Sequence, residues 1–316
     1  MSIAMKPFLP PEAAGGTLSL LLFLCSAQAV MKALDLYQSA VSRLRAAEIE
    51  DAEIEASLLL GHLLNLSRAQ VFLHEEPLPE ALVADFENFL GRRLAREPLA
   101  YILGEQEFWS LPFYVNSHVL IPRPETELLL EIILQVLKGE EQEMLTGRVL
   151  DMGTGSGVIA IVLALELPGA VVTSLDISYA AQAVARKNAE RHGVLERVSF
   201  ISSDWLAAVR RTPLFDLVVT NPPYVARESF ADLQPEVSRF EPRLALDGGQ
   251  GGADVISRFA GEVAAVLKPG GRFFMEIGAD QSQFVMDLFS SFAAFDGLTV
   301  YEDYAGLPRI FHARRS

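Results

Sequence analysis

The sequence predicts an α/β protein in which a small helical domain and a β-hairpin linker precede an open, mostly parallel sheet covered by helices on both faces. Three observations carry this. After Ile121, short apolar runs bounded by turn residues alternate with helical stretches, the pattern of strands buried on both sides. Over residues 31–105 the apolar positions recur at helical spacing. Between the two, residues 106–121 are aromatic and β-branched, as a hairpin requires. A chain of 316 residues is long enough for one large core and a smaller one. The predicted division is an N-terminal extension (1–30), a helical domain (31–105), a hairpin linker (106–121) and an α/β domain (122–316).

In the extension, Leu18–Cys25 reads LSLLLFLC, followed by Ala27-Gln28-Ala29, which matches the apolar core and small-residue end of a signal peptide. It is shorter than the about 20 residues that cross a bilayer. Met31 opens an amphipathic helix with which the upstream stretch shares nothing, so residues 1–30 read as a misplaced start or a dispensable extension. In the helical domain Ala33, Leu34, Tyr37 and Val41 form one stripe, and Ile54, Leu58, Leu59 and Leu63 a second. Ser67 with Gln70 three residues on forms a capping box for a short third helix. Pro79 suits the first turn of a fourth, running to about Arg96. In the linker, Asn116-Ser117 is the turn signal. The strands expected beyond it are Gly147–Asp151, Ala170–Asp176, Arg197–Ser202, Phe215–Thr220 and Gly271–Ile277, with helices at Val158–Leu167 and Tyr179–His192. A ligand site then belongs beyond the carboxyl ends of the strands.

Composition narrows the chemistry. The net charge of −15 weighs against bare nucleic acid as partner, because phosphate neutralisation drives such binding. The helical domain carries −6 of it, from Lys32 and six arginines against 13 acids. The single cysteine, Cys25, cannot make an internal disulfide, which favours a reducing compartment. The five histidines lie too far apart in sequence to suggest a metal site, and no C-x-x-C occurs.

The first strand of the sheet ends in Asp151-Met152-Gly153-Thr154-Gly155-Ser156-Gly157, followed by an apolar helix. Glycines at alternate positions let the backbone turn tightly and approach a ligand. The dinucleotide fingerprint fits only in a relaxed register, from Gly155 to Ala160, and the Walker A lysine is absent. The loop resembles the D-x-G-x-G-x-G motif of S-adenosylmethionine-dependent methyltransferases with a Rossmann-like fold. Asp176, ending the second strand 25 residues after Asp151, is placed to accept both ribose hydroxyls or to cap the helix near Tyr179. Asp204-Trp205 follows the third strand. Asp204 is read as an acceptor for an adenine amino group, and Trp205 as a ring that packs on the base or as core filler.

The fourth strand runs into Asn221-Pro222-Pro223-Tyr224. Prolines donate no hydrogen bond, so nearby carbonyls stay available to a ligand. The Asn221 side-chain oxygen and the Pro222 carbonyl would accept the two N–H bonds of a planar NH2 group, with Tyr224 stacking on its plane. This turn is the mark of methyltransferases acting on amide or exocyclic NH2 nitrogens. Ile121-Pro122-Arg123-Pro124-Glu125-Thr126-Glu127, Glu241–Leu246 (EPRLAL), Lys268–Gly271 (KPGG) and Tyr304–Arg309 (YAGLPR) together resemble the release factor glutamine methyltransferases, the HemK/PrmC family, over about Met31 to Arg314.

That resemblance implies S-adenosyl-L-methionine as cofactor and, as substrate, the glutamine of the Gly-Gly-Gln motif in class 1 peptide chain release factors, methylated on its side-chain nitrogen (N5). It implies a cytoplasmic monomer with neither membrane nor direct nucleic-acid partner. It assigns Asn221, Pro222, Pro223 and Tyr224 to the chemistry, and Asp151, Gly153, Thr154, Gly155, Ser156, Gly157, Asp176, Asp204, Trp205 and Asn221 to the cofactor, with no metal. The rivals are a ribosomal-protein glutamine methyltransferase, a nucleic-acid N6-adenine methyltransferase and a non-catalytic adaptor. The negative charge and the missing recognition domain count against the second, and the intact glycines, Asp176 and Asn221 against the third. The chain's own Gly248-Gly249-Gln250 is read as a flexible loop before a helix from about Ala253, not as a substrate motif.

Overall fold

The computed structural model describes residues 31–139 and 147–316; the expectations for residues 1–30 lie outside them. By backbone contacts the chain divides into two units, the second beginning at Ala95.

The first unit contains α1 (Ala33–Ala46), α2 (Ala52–Leu64), α3 (Arg68–Phe72) and α4 (Glu80–Leu94). Leu36, Leu44, Leu59, Leu60, Phe86 and Leu90 form its interior. The Ser67/Gln70 box is present: Ser67 Oγ accepts from Gln70 N, and the Gln70 side chain accepts from Ser67 N at 2.9 Å. Pro79 precedes α4, its carbonyl accepting from Val83 N at 3.1 Å, so it supplies the cap rather than the first helical residue. The nearly buried Arg93 is held by Glu55 at 2.6 Å, as a buried guanidinium must be.

The second unit opens with α5 (Leu99–Leu103) and the hairpin β1 (Glu105–Phe108) and β2 (Leu111–Tyr114). Its reversal lies at Trp109-Ser110, both at positive φ (56° and 55°), and not at Asn116-Ser117. Trp109 N donates to Glu127 at 2.5 Å and its indole N–H to Glu166 at 2.8 Å. These bonds help offset the strain of a two-residue turn built without glycine. Asn116 instead closes the next turn, its side chain accepting from His118 N at 3.0 Å.

The chain then alternates: α6 (Pro124–Gly139), β3 (Arg148–Met152), α7 (Val158–Glu166), β4 (Val171–Asp176), α8 (Tyr179–Arg191), β5 (Val198–Ser202), β6 (Phe215–Thr220), α9 (Pro235–Phe240), α10 (Asp254–Val266), β7 (Leu267–Glu276), α11 (Ser282–Ser290), β8 (Phe295–Glu302) and β9 (Pro308–Arg315). The sheet order is β5-β4-β3-β6-β7-β9-β8. The first five strands are parallel, and β9 runs antiparallel to both neighbours. The strand order reverses beside β3, and Met152 pairs with Thr220. The ends of β3 and β6 therefore open side by side at the switch point where such sheets bind ligands.

Both faces are covered, which is why the strands read as unbroken apolar runs. Phe274 and Val219 turn to the side of α6 and α7, whereas Phe273, Met275 and Val218 turn to that of α10 and α11. Phe289 is fully buried against Phe273, Phe295 and Phe311, with ring centroids 4.6–5.4 Å away. Among the described residues no helix is long and apolar enough to cross a membrane, and no cluster of three His, Cys, Asp or Glu is placed to hold a metal. Truncating Phe289 to Ala removes the centre of the aromatic packing and is expected to lower unfolding free energy by about 3–5 kcal/mol in urea titrations.

Candidate active site

A cavity of about 250 Å³ opens at the switch point. It is lined by Gly153, Thr154, Gly155, Ser156, Asp176, Asp204, Trp205, Asn221 and Pro223 among others, whereas Asp151, Gly157, Pro222 and Tyr224 are not part of its wall. The loop after β3 is pinned from the next strand. Gly153 N and Thr154 N donate to Leu175 O (2.8 and 2.9 Å), and Gly155 N donates to Asp176 Oδ2 at 2.9 Å. Gly157 serves packing: at φ 86°, a Cβ there would sit 2.9 Å from that of Ala185. At Gly153 an added Cβ would make only an ordinary contact, 3.8 Å from the Trp205 ring, and it is the φ of 75° that calls for glycine.

Asp176 does not cap α8. Ser178 does, accepting from Ala181 N at 3.2 Å, while Asp176 Oδ1 accepts from Ser178 N at 2.8 Å. Each Asp176 oxygen thus takes one backbone bond and retains a lone pair. Burial pushes this carboxyl upward in pKa against those stabilising bonds. Trp205 lines the cavity and also packs on Phe259, with ring centroids 4.7 Å apart. Asp204 is ion-paired with Arg258, which also lines the cavity, so the acceptor expected for an adenine amino group already has a cationic partner.

Asp151 lies fully buried beneath the loop, accepting from Ser174 Oγ at 3.4 Å. Its Oδ1 and the buried Thr154 hydroxyl make no hydrogen bond of full geometry, but the hydroxyl lies close enough to favour the ionised carboxylate. Desolvation pushes the Asp151 carboxyl up to about 7. It can support the loop but cannot face a ligand through the cavity wall.

At the end of β6, Thr220 Oγ1 donates to Met152 O at 2.7 Å and locks the two strand ends together. Asn221 Nδ2 donates to Thr126 Oγ1 (3.0 Å), Thr126 Oγ1 donates to Glu276 Oε2 (2.7 Å), and the Tyr224 hydroxyl donates to Glu276 Oε1 (3.1 Å). Glu276 is completely buried, and desolvation pushes it up to about 7. Tyr224 was expected to stack on a substrate, but its hydroxyl is spent on Glu276 and its carbonyl accepts from Gln281 at 3.3 Å. Among the described residues no protein donor holds Asn221 Oδ1 or the Pro222 carbonyl.

Sequence reasoning missed Glu276, Arg258 and the role of Thr126. The signal for Glu276 was present, as a single acid inside the apolar run Arg272–Ile277. Arg123 Nη2 donates to the buried Glu241 at 2.5 Å, and Ile121 N donates to the same carboxylate at 3.2 Å. That joins the segments 121–127 and 241–246 at the cavity rim. The loop 247–252 is ordered rather than flexible: Gly248 N donates to Val225 O (2.9 Å), and Gly252 O accepts from Gln281 Nε2 (2.9 Å).

Comparison with known proteins places this geometry. A family model described as the PrmC N-terminal domain matches residues 35–104, and one described as the methyltransferase small domain matches 125–236. A release factor glutamine methyltransferase of Chlorobaculum tepidum is 40% identical over 285 residues, 89% of this chain and 96% of that one. The chain belongs to the release factor glutamine methyltransferase family. Other members are those of Cereibacter sphaeroides, 42% identical over 90% of this chain and 99% of that one, and Moorella thermoacetica, 43% over 87% and 96%. The family's α/β methyltransferase fold is the one described above, so the cavity belongs to a methyltransferase.

The buried Asp151 makes a measurable demand on this methyltransferase. The unfolded chain ionises it in the usual carboxylate range, whereas the folded state retains the proton to about pH 7. Its contribution is therefore favourable at low pH and is lost as pH rises through about 7, by up to about 4 kcal/mol. Asp151→Asn should remove this slope. Urea midpoints measured without cofactor should move in the variant's favour relative to wild type between about pH 4 and pH 8, and a constant difference would refute the assignment.

Proposed function

We propose that this enzyme transfers a methyl group from S-adenosyl-L-methionine to the side-chain amide nitrogen (N5) of the glutamine in the Gly-Gly-Gln motif of class 1 peptide chain release factors. It would act in the cytoplasm as a monomer, with the helical domain over 31–105 gripping the protein partner. The observation that carries the reading is Asn221 Oδ1, an acceptor without a protein donor on a residue of the cavity wall, at a strand end paired with the glycine loop; the Pro222 carbonyl, next along the turn, is the second acceptor of the reading.

The residues present fit the cofactor. The glycines at 153 and 155 bring backbone close without side-chain obstruction, the Thr154 hydroxyl is buried on the cavity wall without a hydrogen bond of full geometry, and the Asp176 carboxylate on the same wall keeps acceptor capacity for ribose hydroxyls. Asp204 and Trp205 bound the region for the adenine, where Arg258 must share or release Asp204. When bound, the cofactor supplies an activated methyl group on sulfonium sulfur.

An amide nitrogen is a poor nucleophile because its lone pair is delocalised into the carbonyl. Two acceptors fixed on its N–H bonds orient the lone pair and favour pyramidalisation, stabilising the positive charge that builds on nitrogen. Positioning of this kind can supply on the order of 7–11 kcal/mol when geometry is ideal. Asn221 and Pro222 provide the acceptors and Pro223 lines the approach. Tyr224 braces the turn from behind through Glu276. The proton leaves after methyl transfer, so no base ionised beforehand is required.

Mass spectrometry of a release factor incubated with the protein and labelled cofactor should show one added methyl group on the Gly-Gly-Gln peptide. Asn221→Ala should slow that transfer by about 100-fold or more while cofactor affinity changes little. Methylation elsewhere, or wild-type turnover in the variant, would overturn the proposal.

A further inference from the structure

The polar chain behind Asn221 is built from side chains on three elements. Glu276 ends β7, Thr126 lies in the first turn of α6, and Asn221 and Tyr224 belong to the loop after β6. Glu276 is fully enclosed and Thr126 is 3% exposed. A methyltransferase that needed only an acceptor at residue 221 would have no use for a carboxyl group embedded in its sheet, where ionisation is penalised.

The chemistry of each group fixes the direction of the chain. An ionised carboxylate only accepts, so Glu276 takes the hydroxyl protons of Thr126 (2.7 Å) and Tyr224 (3.1 Å). Thr126 has a single O–H. With that proton committed, its oxygen facing Asn221 at 3.0 Å can only accept. The Asn221 amide must then present its NH2 to Thr126 and its Oδ1 to the cavity. We propose that Glu276 is a positioning residue which, through Thr126, holds the Asn221 carboxamide in the orientation that offers an acceptor to the substrate NH2 group.

This deepens the reading of Asn221 as the substrate-holding acceptor and rests on it. Protonating Glu276 reverses the logic. The acid O–H can donate to Thr126, whose own proton is then released toward Asn221. Asn221 Oδ1 turns inward to accept it, and the NH2 group faces the cavity, where it repels the N–H bonds it should receive. The groups facing Glu276 are Thr126 and Glu125 on α6, Tyr224 after β6 and Arg309 on β9. Desolvation and Glu125 favour the protonated form, while Arg309 and the two hydroxyls oppose them. Their balance, at about 7, lets the switch operate near neutrality, with the productive orientation on the alkaline side.

The test joins two readouts. In nitrogen-15 NMR spectra of the full chain without substrate, the Asn221 side-chain NH2, assigned by its absence from Asn221→Ala, should be protected from solvent exchange in wild type and Thr126→Ser. It should lose protection in Thr126→Val. In single-turnover methylation of release factor, Thr126→Val should lower the rate roughly tenfold or more with cofactor Kd within about twofold, and Thr126→Ser should recover most of the loss. Wild type and Thr126→Ser should show a rate that falls as pH drops through about 7, a limb that Glu276→Gln removes. An Asn221 amide that is unprotected in wild type on the alkaline side of about 7 overturns the proposal, as does Thr126→Val with wild-type rate and pH limb. Should wild type bind cofactor yet methylate no release factor, the assigned substrate fails, and the amide readout still decides the orientation.

Discussion

Everything at the site depends on the pairing of β3 with β6. Their last residues, Met152 and Thr220, stand in register, and the Thr220 hydroxyl closes the junction onto the Met152 carbonyl. One strand end delivers a glycine loop held open by Asp176; the other delivers an asparagine followed by two prolines. On the proposed reading neither does the chemistry alone: a methyl donor and an acceptor of N–H bonds would face each other within ångströms, and two adjacent parallel strands are a stiff means of setting that distance. The remaining elements serve the junction: α7 and α8 cover one side, α10 and α11 the other, and α6 brings Thr126 behind Asn221.

The same junction holds two carboxyl groups whose ionisation burial opposes. Asp151 and Glu276 are carboxyl groups completely enclosed at the ends of β3 and β7, where hydrophobic residues would fit at lower free energy. Each holds something that must not move: one lies below the glycine loop, the other braces the Asn221 and Tyr224 turn. The stability given up there is offset by the aromatic packing around Phe273, Phe289 and Phe311 on the opposite side of the sheet.

Much of this was legible in the sequence, because the features that encode it are local. Strand boundaries at Phe215–Thr220, the Ser67/Gln70 cap and the glycine loop each follow from a few consecutive residues. What was missed required knowing which distant residues meet. The hairpin reversed at Trp109-Ser110 instead of Asn116-Ser117 because Glu127 and Glu166, far along the chain, hold a turn that its own residues disfavour. Tyr224 turned inward because a carboxylate from β7 was waiting for its hydroxyl. Asp204 found Arg258 from α10. The closing strands β8 and β9 were not read from the sequence, since their antiparallel placement depends on β7 offering a free edge.

That closing hairpin has a consequence for behaviour at high concentration. Without it, β7 would present a flat apolar edge of Phe273, Phe274 and Met275 to any passing strand. With β9 inserted, the sheet ends instead in β8, whose register is broken twice, between Asp296 and Thr299 and again between Tyr301 and Glu302. Acidic residues near both ends and the positive φ of Gly297 make it a poor template for further pairing. The closing hairpin thus blunts this edge of the sheet against pairing with another chain, while β5 forms the opposite edge.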